Sequence, residues 1–291
     1  LLIDDPEMTV FSPLEDSTSQ MEKVYDFDLM MNGGHIKGYK VSDENLIRKI
    51  ANSLEQLMDP EHFSKKYGID PEEKGIMLFA VGDGNHSLAS AKAHWEKKKT
   101  SLPKEMRADH PARYAMVEVI NVHDKGLIFE PIHRVLFNVD DKLLIDAMIK
   151  YYSANYRCFI NTYSSGEELK TAKIELIKKT PLCHVLTFVS SNNYGMAVIE
   201  NAKGCLDTSL LQEFLDRFLE DNPNTKIDYI HGDDIVTEIG TKPGNMGFYL
   251  SPMDKSMLFK TVLTDGTLPR KTFSMGEAEE KRYYLECRKI I

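Results

Sequence analysis

A chain of 291 residues, 42% hydrophobic and 28% charged, has the composition of a folded protein and enough length for about two domains. Its 36 Lys and Arg against 45 Asp and Glu give a formal net charge of −9. That is the wrong sign for a protein that holds nucleic acid through its phosphates, and no basic stripe or helix-turn-helix pattern accompanies it.

No run approaches the roughly 18 apolar residues of a membrane span, and no signal-peptide pattern is visible. Cys158, Cys183, Cys205 and Cys287 stand far apart with no Cys-x-x-Cys pair, so they read as free, mostly buried thiols. The expectation is a cytoplasmic protein without a structural zinc site. The opening Leu1-Leu-Ile-Asp-Asp-Pro, lacking an initiating methionine, reads as the remainder of a longer protein.

In chain order, residues 1–21 read as loop. Alternation from Val24 to Val41 around Asn32-Gly-Gly predicts a hairpin, with His35 at the surface. A helix is expected from Ser42, with Leu46, Ile50, Leu54 and Leu57 on one face and Asp59-Pro60 at its end. His62 to Lys74 is a short helix or loop.

Then comes the stretch that concentrates chemistry. Ile76 to Val81 is an unbroken apolar run that predicts a buried strand, and Leu88 onward has the spacing of a helix. Between them lie Gly82, Asp83, Gly84, Asn85, His86 and Ser87. The two glycines free the backbone, and the first turn of a helix presents amides without internal partners to any anion. Asp83 can bind Mg²⁺ or take a proton, His86 can act as acid, base or phosphate ligand, and Asn85 or Ser87 can cap the helix or touch the ligand. Asp-Gly-Asn is also ordinary turn chemistry.

Residues 113–139 read as two strands joined at Asp124-Lys-Gly126, Met116 to Val122 being the clearer one. Pro131 would interrupt an inner strand, which puts His133 and Arg134 at an edge or on a loop facing a pocket. There they would offer a proton carrier beside a fixed positive charge.

From Asp140 helices and strands alternate. Helices are expected over 141–152, 165–179, 207–219 and 235–239, and strands over 156–161, 183–190, 196–200, 227–230 and 246–250. His231 with Asp233 and Asp234 admits a metal reading, although capping aspartates explain it more simply. A helix is expected to begin at Ser251-Pro-Met-Asp. Arg270 and Lys271 follow Pro269 on a turn that can reach a phosphate. Residues 282–290 alternate like an edge strand.

Three segments carry a family resemblance. Asp83-Gly-Asn-His-Ser within Ala80 to Lys92 resembles the Asp-Gly-His/Asn-His-Arg/Ser signature of the family called domain of unknown function 1015. Tyr114 to Leu136, with Asp124-Lys-Gly-Leu and Pro131-Ile-His-Arg, is similar to a second segment of that family. Gly247-Phe-Tyr-Leu-Ser-Pro and Leu268-Pro-Arg-Lys-Thr-Phe-Ser resemble a third.

The signature is in turn similar to the phosphate-binding loop of the ParB/sulfiredoxin-like fold, whose members include free serine kinases. The resemblance implies a mixed α/β (α+β) chain, with a ParB/sulfiredoxin-like lobe over 1–139 and a second α/β lobe over 140–291. It implies a nucleotide, ATP or ADP with Mg²⁺, held by Gly82, Gly84, Asn85 and Ser87, with Asp83 on the metal. Asp83, His86 and His133 would be catalytic and Arg134, Arg270 and Lys271 would bind phosphate. Ser87 stands where the family often has arginine, so the loop lacks a guanidinium that Arg134 would have to supply.

The leading expectation is a kinase-like enzyme that phosphorylates a small, serine-like hydroxyl metabolite. A nucleotide-binding regulator without phosphotransfer is the alternative. A metal-dependent hydrolase using Asp83, His86 and His133 is the third. The sequence leaves the acceptor and the oligomeric state open.

Overall fold

The computed structural model describes residues 1–180, 183–202, 206–276 and 285–289. The chain is mixed α/β. It divides into two compact units, Leu1–Ile128 with Lys255–Leu263 and Met275–Ile291, and Phe129–Asp254 with Thr264–Ser274.

The first unit contains β1 (Leu2–Ile3), α1 (Ser12–Ser17), the hairpin β2 (Glu22–Asp28) and β3 (His35–Lys40), α2 (Glu44–Leu57), α3 (Pro60–Tyr67), α4 (Pro71–Lys74), α5 (Asn85–Lys99) and β4 (Ile120–Asn121). Asp59 ends α2 and caps α3, its carboxylate accepting from the His62 amide at 2.8 Å. β1 pairs in parallel with β4, Leu2 opposite Ile120, and bridges Ala80 on its other side. Leu2 and Ile3 are buried. The next residue, Asp4, is buried too, held by the Tyr67 hydroxyl at 2.6 Å, Lys66 Nζ at 2.9 Å and His123 Nε2 at 2.7 Å.

Two expected strands are not formed. From Ile76 to Val81 only Ala80 makes a bridge, and Phe79 and Val81 are exposed. From Met116 to Val122 only Ile120–Asn121 is strand, with Met116 and Val117 exposed. Both stretches have strand-like composition, but a strand needs a partner ladder, and the two-residue β1 supplies one only at Ala80 and at β4.

The second unit contains β5 (Phe129–Pro131), β6 (His133–Phe137), α6 (Asp141–Ser153), β7 (Arg157–Tyr163), α7 (Gly166–Lys179), β8 (Cys183–Ser190), β9 (Tyr194–Glu200), α8 (Asp207–Asp221), β10 (Lys226–Ile230), α9 (Asp233–Gly240) and β11 (Asn245–Tyr249). Helix α10 (Leu258–Asp265), whose residues through Leu263 belong to the first unit, begins later than the expected Ser251, and β12 (Phe273–Met275) pairs with β5. Six strands form one antiparallel sheet in the order β10-β6-β11-β8-β9-β7.

Alternation decides which side each residue serves. Leu186 and Phe188 of β8 join Leu144, Met148 and Tyr152 of α6 and Leu211, Phe214 and Leu215 of α8 on one face. Val185, on the other, meets Leu169 of α7 with Met196 and Val198 of β9. Covering both faces is why β8 and β9 read as continuous apolar runs. On the second face α9 approaches the sheet closely. A Cβ at Gly247 would lie 2.7 Å from Val236 Cγ1, and one at Gly240 would lie 2.8 Å from Val189 Cγ1, so neither position admits a side chain without displacement.

Among the described cysteines, Cys158 and Cys183 are half-buried and Cys287 is exposed, which corrects the expectation of mostly buried thiols. Burial pushes the Cys158 thiol up to about 11, the behaviour of an unreactive side chain. Cys205 and residues 282–284 and 290 of the expected strand 282–290 lie outside the described residues; 285–289 are not strand. Among the described residues no helix is long and apolar enough to cross a membrane.

Candidate functional site

In the first unit, Gly84 takes φ +83° and stands at the N-cap of α5. That left-handed conformation favours glycine, and it turns the chain sharply from Asp83 into the helix. Asp83 Oδ1 accepts from the Gly84 amide at 2.6 Å.

The expectation that Asn85 or Ser87 caps the helix is not met, because both lie inside it and no side chain caps its start. Elsewhere in the chain Asp43, Asp59, Asp70, Asp140 and Ser165 do cap their helices. The first-turn amides of α5 are thus left for solvent or a ligand, with the positive end of the helix dipole behind them. Lys97, Lys98 and Lys99 close the same helix at its negative end.

This helix start opens into a cleft of about 1010 Å³, the size of a small-molecule site. Gly82, Asp83, Gly84 and Ser87 line it, followed by Ser90, Ala91 and His94 one and two turns along α5. Tyr114, Met116 and Glu118 line it as well, and so does Arg288. Asn85 and His86 are exposed beside it but are not among the lining residues. Ser90, Ala91 and His94 carry no site motif in the sequence, although their spacing after Ser87 is that of one helix face. Arg288 gave no signal, being one basic residue in a short charged tail.

The remaining candidates lie in the second unit and have structural duties there. His133 and Arg134 do not occupy an edge or a loop, as Pro131 suggested. Pro131 ends β5, and His133 begins β6, an inner strand between β10 and β11. His133 Nδ1 accepts from the Leu250 amide at 3.0 Å, and Nε2 meets Asp233 Oδ1 at 2.9 Å. Burial lowers the His133 pKa, partly countered by Asp233, and the Leu250 amide donating to Nδ1 requires that nitrogen to be unprotonated.

Arg134 is fully buried. It donates to Gln212 Oε1, to the Ile132 carbonyl and to the Arg270 carbonyl, and lies over the Tyr229 ring at 4.7 Å. Burial lowers its pKa, yet it remains cationic at neutral pH. Arg270 gives its side chain to Tyr229 and Asp216. Lys271 is exposed, with φ +57°. Asp233 is engaged with His133 rather than with a His231 metal site. Among the described residues no group of three or more His, Cys, Asp or Glu is placed to hold a metal ion.

The residues present do fit a nucleotide with Mg²⁺. The ion, when bound, draws its remaining ligands from phosphates and water, so a single protein carboxylate such as Asp83 suffices.

A family model described as Protein of unknown function (DUF1015) matches residues 1–251. The chain belongs to that family. No curated protein matches it. Among solved structures it is similar to a conserved hypothetical protein from Pyrococcus furiosus, at 11% identity and a TM-score of 0.38, covering 55% of this chain and 60% of that one. It is also similar to a free serine kinase mutant in complex with ADP, at 11% identity and a TM-score of 0.37, and in complex with AMP, at 10% and 0.38. Each of those two matches covers 65% of this chain and 80% of the other. The match spans less than two thirds of the Pyrococcus protein. Likeness this distant carries no chemistry across, so the functional reading rests on the cleft.

Proposed function

We propose that the cleft of the first unit binds ATP or ADP with Mg²⁺ and that the protein transfers phosphate to a small hydroxyl metabolite. The observation that carries this reading is the uncapped start of α5, opening at Gly84 and Ser87 into a cleft also lined by the Asp83 carboxylate. Phosphoryl transfer asks a protein for phosphate-facing amides, positioned cations and a group that orients the acceptor, rather than for covalent chemistry.

The amides of Asn85, His86 and Ser87 receive phosphate oxygens, and Gly82 and Gly84 keep the backbone close to them. Asp83 Oδ1 is tied to the Gly84 amide, and its second oxygen is left to take the proton of the acceptor hydroxyl or to hold Mg²⁺. His86, exposed in the same turn, is a second proton carrier. His133, Arg134 and Arg270 are committed to contacts within the second unit, so the transfer is not routed through them. The net charge of −9 favours a small acceptor over nucleic acid.

Asp83→Asn keeps a side chain that accepts from Gly84 and removes the base. It should lower turnover by about 100-fold or more while thermal stability stays near wild type. Unchanged turnover would remove Asp83 from the mechanism. The second reading, a nucleotide-binding regulator, is favoured by Ser87, since the loop has no guanidinium to stabilise the transferring group. It predicts nucleotide binding with no phosphorylated product from any hydroxyl acceptor.

A further inference from the structure

The loop from Gly82 to Ser87 carries no lysine or arginine, yet phosphates held by amides alone lose affinity against those paired with a cation. The cation expected to fill this role, Arg134, is buried in the second unit with neutral partners. The cleft contains another. Arg288 lines it with Gly84 and Ser87, and its guanidinium lies over the Tyr114 ring, 5.4 Å from the centroid. Tyr114 lines the same cleft and is anchored by its hydroxyl, which donates to the Ala108 carbonyl at 2.7 Å.

We infer that Arg288 grips the phosphates of the bound nucleotide from its platform on Tyr114; the inference rests on the nucleotide reading above. An arginine held over an aromatic face is oriented without using its N–H groups, so the edge that pairs with phosphate stays available. Among the described residues no hydrogen bond or ion pair occupies that edge. Arg113, which also lies over the Tyr114 ring at 5.5 Å, already gives Nη1 to the Ala108 carbonyl at 3.2 Å. Arg288 lies beyond residue 251, where the family match ends, so the missing loop guanidinium is replaced from a part of the chain outside the shared motifs.

The test is calorimetric titration of the full chain with ADP and ATP in the presence of Mg²⁺, on wild type, Arg288→Ala, Arg288→Lys, Tyr114→Leu and Lys289→Ala. Arg288→Ala should weaken binding at least tenfold, and Arg288→Lys should recover part of it, because a lysine returns charge without the bidentate edge. Tyr114→Leu should weaken binding through loss of the platform. Lys289→Ala, which removes an exposed neighbouring charge outside the cleft, should bind as wild type does. Wild-type binding with equal affinity in Arg288→Ala overturns the inference and leaves the nucleotide reading standing. An equal loss in Lys289→Ala also overturns it, since the effect is then general charge. Absence of binding by wild type removes both.

Discussion

Asp4 is the residue on which the first unit depends most visibly. Burial alone would raise its carboxyl, but hydrogen bonds from Tyr67, Lys66 and His123 outweigh it and hold the group below its ordinary 3.8. A carboxylate depressed in the folded state stabilises the protein above its unfolded value, and that contribution is lost as pH falls through the folded value. The wild-type midpoint should therefore drop steeply below about pH 4. Asp4→Asn leaves Lys66 without its carboxylate and should cost about 2–4 kcal/mol at neutral pH. Its melting temperature should vary less with acid than that of wild type. Equal slopes for the two proteins below pH 4 would show that Asp4 is not the group responsible.

Elements differ sharply in how much they bury. α5, which presents the loop, has no buried residue, whereas β8 and β9 are covered on both faces and carry Phe188, Val189, Val198 and Ile199 at 0% exposure. Hydrogen exchange should find the amides of α5 exchanging at least about a hundredfold faster than those of β8 and β9, since opening energies follow buried apolar contact. Comparable protection would mean that α5 is covered by something on the face that here lines the cleft.

Legibility in the sequence follows the same division. Most strands and helices of the second unit are legible because their apolar patterns match the neighbours they pack on, β8 and β9 on both faces, whereas the three-residue β12 is too short to show a pattern. Ile76–Val81 has the same kind of pattern and is not a strand, because composition specifies a strand-forming segment but not its partner. His133 and Arg134 were misplaced for a related reason. Pro131 does end a strand, but the chain starts an inner one two residues later. A buried arginine satisfied by a glutamine, two carbonyls and a tyrosine ring leaves no mark in the sequence. In the candidate site the loop was legible from its glycines and polar residues, whereas Tyr114 and Arg288 reach the cleft only through the fold.

At the scale of the whole molecule, the chain is a member of a family without an assigned activity, built as two compact units with the signature loop in the first. The central claim is that this loop holds a nucleotide. Ser87→Glu tests it most directly. Ser87 is exposed and lines the cleft, and a glutamate in the first turn of α5 suits the helix dipole, so the unliganded protein should melt as wild type does. With Mg²⁺ and ATP or ADP at about a hundred times the dissociation constant, wild type should gain about 2.7 kcal/mol, a rise of several degrees in the unfolding midpoint. Ser87→Glu, placing negative charge where phosphate sits, should gain nothing. A wild-type midpoint unmoved by ATP or ADP, or an equal rise in Ser87→Glu, would contradict the assignment of the nucleotide to this loop.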